Sequence, residues 1–219
     1  MKSALALTTP GVVPTVEGLD RRRSILDAAL RVFNQKGYAR ASIQEIRRLS
    51  GASTGSLYHH FGAKEGIAAA VFLDGLERWQ EALLASVDWE APATQGLAAF
   101  IDAHFTWVAE NTDLARYMLA RQESEVALAS RAASKQLNRA FGMQLDRWLR
   151  TVKKRGEVRN EPTRVLMAAA MGPCRELTGE AVERGGHLPP RLLAALHRVV
   201  ADALGVRSSP VVKATKRSR

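Results

Sequence analysis

The chain lacks most of the features that mark enzymes, membrane proteins and secreted proteins. One cysteine in 219 residues, Cys174, excludes an intramolecular disulfide and suits a reducing cytoplasm, the compartment we expect. No apolar run approaches the roughly 20 residues that cross a bilayer, so no membrane partner is expected. The apolar opening as far as Leu7 is too short for a signal peptide and is broken by Thr8-Thr9-Pro10. The five histidines (59, 60, 104, 187 and 197) form no His-x-x-x-His pair, and none joins Cys174 at metal-ligand spacing. A Gly-rich phosphate loop, a nucleophile elbow and a Walker sequence are all missing. These absences predict no metal, no cofactor and no catalytic site. Strand-like alternation and internal repeats are missing too, which leaves an all-α fold.

Carboxylates are the other shortage. The chain has 22 Asp and Glu against 32 Lys and Arg, a net charge of +10. The surplus is not spread evenly. Residues 21–67 hold nine Lys/Arg against three acids, and residues 206–219 add five basic residues with no acid. Nucleic acid is the natural partner of such a footprint, with a merely soluble basic surface as the alternative.

What is present concentrates in residues 42–67. Ser42 is a good N-cap, because its hydroxyl accepts from free backbone N–H groups at a helix start. Ile43, Ile46 and Leu49 follow at helical spacing and are predicted to face inward. Gly51 can take the left-handed conformation that ends a helix. Ser53 caps a second short helix, from Thr54 to about Phe61, with Leu57 and Phe61 turned inward and Thr54, Ser56, Tyr58 and His59 turned elsewhere. Two short helices about a tight turn make a helix-turn-helix, whose second helix enters the major groove of DNA. Gly55 removes side-chain bulk where backbone can approach a duplex. Two ordinary surface helices with a polar face remain the alternative.

The run Gly51-Ala-Ser-Thr-Gly-Ser-Leu-Tyr-His-His-Phe-Gly-Ala-Lys-Glu-Gly-Ile67 resembles the signature of the TetR family of bacterial transcriptional repressors. The resemblance extends back without a gap to Arg22, through Phe33, Gly37 and Tyr38. It implies a DNA-binding role for Ser42, Gln44, Ser53, Thr54, Gly55, Ser56, Tyr58, His59 and Lys64. Thr54, Gly55 and Ser56 match the base-reading turn, with Gln44 reaching in from the preceding helix. Tyr58, His59 and Lys64 match positions that hold the DNA backbone or the groove edge. Lys64 opposes the dipole of the helix it begins, and a docked phosphate would reverse that penalty. Two positions depart from the pattern. Arg47 stands where alanine is usual and must turn outward, and Ala63 replaces the usual capping Ser or Asn.

Around this unit the chain reads as further helices. Residues 1–20, with Pro10, Gly11, Pro14 and Gly18, are predicted to form a loose arm ending in Arg21-Arg22-Arg23. A helix from Ser24, closed by Gly37, backs the two short ones. A long helix runs from Lys64 to about Ser86, and more follow up to about 205. We assign 21–67 to DNA binding, 68–205 to a helical regulatory and dimerisation domain, and 206–219 to a basic tail. By resemblance, the function is that of a repressor that binds a near-palindromic double-stranded operator as a homodimer and is released by a small-molecule effector. Phe100, His104, Trp107, Met118, Phe141, Trp148 and Met171 are candidate walls for the effector, although such a stripe is first of all core. Ala169, Pro173, Leu192, Leu196, Val199 and Val200 are the candidate dimer contacts: the first two lie in a helix whose small residues let another backbone approach, and the others on a stripe too broad for one intrachain neighbour. An effector-independent architectural DNA-binding protein, or an enzyme or carrier with a vestigial DNA-binding unit, are the competing readings.

Overall fold

The structure is a computed structural model, and it describes residues 16–121 and 125–206. The described part of the chain folds into nine α-helices and contains no strand. They are α1 (Val16–Arg40), α2 (Ile43–Ser50), α3 (Thr54–Phe61), α4 (Lys64–Ser86), α5 (Ala93–Glu110), α6 (Thr112–Arg121), α7 (Glu125–Lys154), α8 (Thr163–Glu183) and α9 (Pro190–Leu204). The predicted all-α class is correct. Helix α1 begins at Val16, inside the span expected for the arm. Residues 1–15 and the basic tail beyond 206 lie outside the described residues.

The helices divide into two compact units. One takes the residues up to Gly75 together with Arg116–Ser134, and the other takes Leu76–Ala115 together with the residues from Lys135 on. The boundary therefore passes through α4, α6 and α7, beyond the first turns of α4.

In the first unit α1 packs on α2. Ile25, Ala28, Ala29, Val32 and Phe33 are buried along one stripe of α1, as their spacing predicts. Gly37 breaks the helix with φ 74° and ψ 160°, a conformation closed to residues with a Cβ, and the chain turns from there into α2. Tyr117 on α6 is buried against Phe33, its ring centroid at 5.6 Å, and its hydroxyl donates to the Ala68 carbonyl.

In the second unit α5 packs on α8 and α9, and α8 on α9. α5 has no side-chain cap of its own, since its N-cap position is Pro92. Its first N–H, from Ala93, instead donates to the buried Glu157 carboxylate at 2.6 Å. α8 continues through Pro173 rather than stopping there. Gly96 on α5 is fixed by packing, because a Cβ there would come within 2.6 Å of the Trp148 ring.

Candidate nucleic-acid interface

The helix-turn-helix is built by local signals in close sequence order. Ser42 and Glu45 form a reciprocal capping box: the Ser42 hydroxyl accepts from the Glu45 N–H, and the Glu45 carboxylate accepts from the Ser42 N–H. The Ser42 hydroxyl also donates to that carboxylate at 3.0 Å, so both its capacities are engaged inside the protein. Lys36 pairs with Glu45 as well, and these contacts hold the Glu45 carboxyl below its ordinary pKa. Gly51 ends α2 in the left-handed region, φ 69°. Ser53 then caps α3 by accepting from the Ser56 N–H at 3.1 Å, which leaves its own hydroxyl hydrogen free to point outward.

Ile46 and Leu57 anchor the two short helices in the core. Leu49 does not join them: it is 47% exposed. Three residues spaced by three drift by about 60° per step around a helix, so Leu49 lies about 120° from Ile43 and leaves the buried face. Phe61 is half-buried, and Arg47 is exposed, as expected for a guanidinium on that edge.

The face turned away from the core carries most of the candidate residues. Gln44, Ser53, Thr54, Gly55, Tyr58 and His59 are exposed, with Tyr58 at 51%, whereas Ser56 is half-buried. A Cβ on Gly55 would meet only the Ser53 hydroxyl, at 3.9 Å. Nothing within the chain requires glycine there. At the far end of α3, His59 and His60 lie edge to face with centroids 5.3 Å apart, and the Arg22 guanidinium lies 5.8 Å from the Phe61 ring. Partial burial, then the nearby His59 and the Arg22 and Arg21 charges, push the His60 pKa below its ordinary value.

Lys64 has partners that its place in the sequence did not reveal. Its ammonium donates to the carbonyls of Tyr38 at 3.1 Å, Ala39 at 3.5 Å and Ala41 at 3.2 Å, and it lies 4.5 Å from the centre of the Tyr38 ring. These carbonyls follow the break at Gly37 and open the turn to α2. The penalty of a cation at the start of α4 is offset by these three carbonyls.

The candidate effector residues are distributed less simply. Phe100, His104, Phe141, Trp148 and Trp107 are buried in the second unit, and Met171 is half-buried there, whereas Met118 belongs to the first unit. The Trp79 indole donates to His104 Nδ1 at 2.9 Å, so His104 carries its hydrogen on Nε2, which faces the Thr178 hydroxyl at 2.9 Å. That hydroxyl in turn donates to the Cys174 carbonyl at 2.8 Å. Burial pushes the His104 pKa down to about 4. Neither Trp79 nor Thr178 is among the expected effector residues. The Trp148 indole N–H is buried without an acceptor. Among the described residues no cluster of His, Cys, Asp and Glu has the makings of a metal site. None of the described helices is long and apolar enough to cross a membrane.

Residues 25–71, which contain the whole helix-turn-helix, match the family of bacterial regulatory proteins known as the tetR family. Its DNA-binding segment is of the TetR type. The chain is 53% identical over 49 residues to the A-factor receptor protein of Streptomyces griseus, which covers 22% of this chain and 18% of that protein. To an HTH-type transcriptional repressor of Mycobacterium tuberculosis it is 33% identical over 96 residues, 44% of this chain and 50% of the relative. The chain thus spans at most about half the length of these curated relatives. Among solved structures, the transcriptional regulator FadR from Bacillus subtilis in complex with stearoyl-CoA superposes with a TM-score of 0.69. It covers 84% of this chain and 99% of that one at 22% identity, a likeness of fold alone.

Proposed function

We propose that the protein is a TetR-like transcriptional repressor that binds a near-palindromic operator as a homodimer and releases it when a small molecule binds. Residues 21–67 read the DNA, and 68–205 hold the effector and the partner subunit. The observation that carries the DNA half is the outer face of α3. Thr54, Gly55 and Tyr58 stand exposed there on a helix capped and anchored from the other side, and the fold has no internal use for Gly55. A glycine that the protein does not need is explained by close approach of a second molecule. Gln44 and Thr54 supply the base-reading groups, since an amide can pair in a bidentate way with adenine. Ser53, Tyr58 and His59 hold phosphate or groove edge, while Ser42 acts by capping α2.

The effector half rests on the relatives and on one buried group. The Trp148 N–H, a donor without an acceptor, costs about 1–3 kcal/mol where it stands, and an oxygen of a bound effector would satisfy it.

Selection of bound duplexes from a random pool tests the proposal. A near-palindrome with two matching half-sites is expected. Gly55→Val should abolish enrichment while the melting temperature stays close to wild type. Gln44→Ala and Thr54→Ala should each relax one or two positions per half-site, by roughly 1–3 kcal/mol for a good base contact. Weak enrichment without any half-site symmetry would instead support an architectural DNA-binding protein.

A further inference from the structure

From Lys135 on, where α7 belongs to the second unit, the helix has two faces of opposite chemistry. Phe141, Leu145, Trp148, Leu149 and Val152 are buried on the inner one. On the outer side Lys135, Arg139, Met143 and Arg147 follow one another four apart, and Arg150 and Lys154 continue the line. All six are exposed, Met143 by 64%. The line runs about 28 Å, at 1.5 Å per residue. Asp146 lies beside it and is engaged within the chain, pairing with Arg150 and accepting from the Thr163 hydroxyl. Lys135, Arg139, Arg147 and Lys154 have no carboxylate partner among the described residues. Like charges four apart destabilise a helix, and Lys135 with Arg139 and Arg150 with Lys154 are two such pairs. The fold gains nothing from them.

We propose that this outer face of α7 docks an acidic segment of another protein, one that carries an apolar residue among its carboxylates. Clusters of arginine recognise acidic motifs, and Arg and Met are both enriched where proteins meet. Five cations in a line attract any polyanion, and Met143 decides among them. A DNA backbone offers phosphates and sugars, neither of which has a use for a thioether in the middle of the line. A lipid surface takes up a helix through its apolar face, and that face of α7 is closed in the core. A peptide can lay an apolar side chain on Met143, whose unbranched chain adapts to what it meets, while carboxylates to either side reach Arg139 and Arg147. None of these residues belongs to the helix-turn-helix. The proposal goes beyond the repressor reading and does not rest on it.

The test uses the full chain and three labelled probes at one ionic strength. The first is a peptide of about 20 Glu and Ser residues with a central Leu, long enough to span the line as a helix. The second is the same peptide with Ser in place of Leu, and the third is a DNA duplex of arbitrary sequence. Arg139→Glu combined with Arg147→Glu should lower affinity for the Leu peptide about tenfold or more and leave affinity for the duplex unchanged. Met143→Ser should weaken the Leu peptide and not the Ser peptide. Both changes lie on exposed positions, so the melting temperature should stay near wild type; if the charge reversal unfolds the chain, Arg139→Gln with Arg147→Gln replaces it. Peptide affinities that are the same in wild type and the charge variant make the face a merely solvated one and overturn the proposal. A duplex that loses as much affinity as the peptide makes it a nucleic-acid contact, and also overturns it. So does binding to phosphatidylglycerol vesicles that the charge variant abolishes while the peptide affinity stays. In all these outcomes operator selection by the helix-turn-helix is a separate measurement, so the repressor reading stands or falls by itself.

Discussion

His104 has both ring nitrogens committed, one accepting from Trp79 and the other donating to Thr178, in surroundings that exclude water. Such a ring is held neutral: a second proton would have to enter at Nδ1, against the Trp79 N–H. Its pKa, pushed down to about 4 from an ordinary 6.5, makes a prediction with a definite sign. Between those values the unfolded chain binds a proton that the folded chain does not, so stability falls as pH falls from about 6.5 to 4. The depression of about 2.5 pKa units corresponds to about 3 kcal/mol, an order-of-magnitude figure. Chemical denaturation of wild type and His104→Leu across that window should show the acid-side slope shrinking in the variant. Equal slopes would mean that this ring does not titrate differently on folding. Cys174 is the converse case. Burial raises its thiol to about 11, and with its side chain fully enclosed it is a packing residue and not a redox sensor.

Single elements depend on groups of two kinds, near in sequence and far from it. α2 and α3 are capped by Ser42, Glu45 and Ser53, within three residues of the N–H groups they satisfy, and both starts were legible from the sequence. α5 is the opposite: Ala93 finds its acceptor in Glu157, 64 residues away. A carboxylate at a partly buried helix N-terminus contributes up to about 2 kcal/mol through the dipole alone. Glu157→Gln should therefore lower stability by about 1–2 kcal/mol, with faster amide exchange confined to the first turn of α5. Exchange that quickens evenly along the chain would argue that Glu157 acts globally. The same division explains the readings of Leu49 and Lys64. Spacing shows that Leu49 can lie near an apolar stripe, but not that the stripe has already turned away. The local sequence shows a cation at a helix start, but not the three carbonyls 23 to 26 residues upstream that receive it. Contacts set by the nearest turn of helix are readable, and contacts set by another helix are not.

At the scale of the molecule, the apolar stripe of α9 separates into two faces. Leu196, Val200 and Leu204 are buried within the chain itself, the first two at 4% and 0% exposure. They belong to the chain's own packing, so Leu196→Glu and Val200→Glu report on folding and do not test association, contrary to the stripe read as a single dimer contact. A neighbouring face is left uncovered. Leu192, Ala195, Val199 and Ala203 recur at spacings of three and four along it, half-buried or exposed, and Val199 is 58% exposed. On α8 the uncovered set is Val165, Ala168, Ala169 and Gly172, small residues that let another backbone come close, while Pro173 beside them is half-buried. Two packed helices with small, apolar outer faces suit a two-fold interface, in which each pair meets its own copy. That places the proposed dimer contact on Val165, Ala168, Ala169, Leu192 and Val199, with Leu196 and Val200 behind it as support. Val199→Glu puts a charge on the uncovered face and leaves the core untouched. It should give a folded monomer in sedimentation, with a melting transition as cooperative as wild type. Operator affinity should drop because each monomer then reads only one half-site. Leu196→Glu should unfold the chain at any concentration, since it buries a charge without a partner. A Val199→Glu chain that still sediments as a dimer would move the interface off α9.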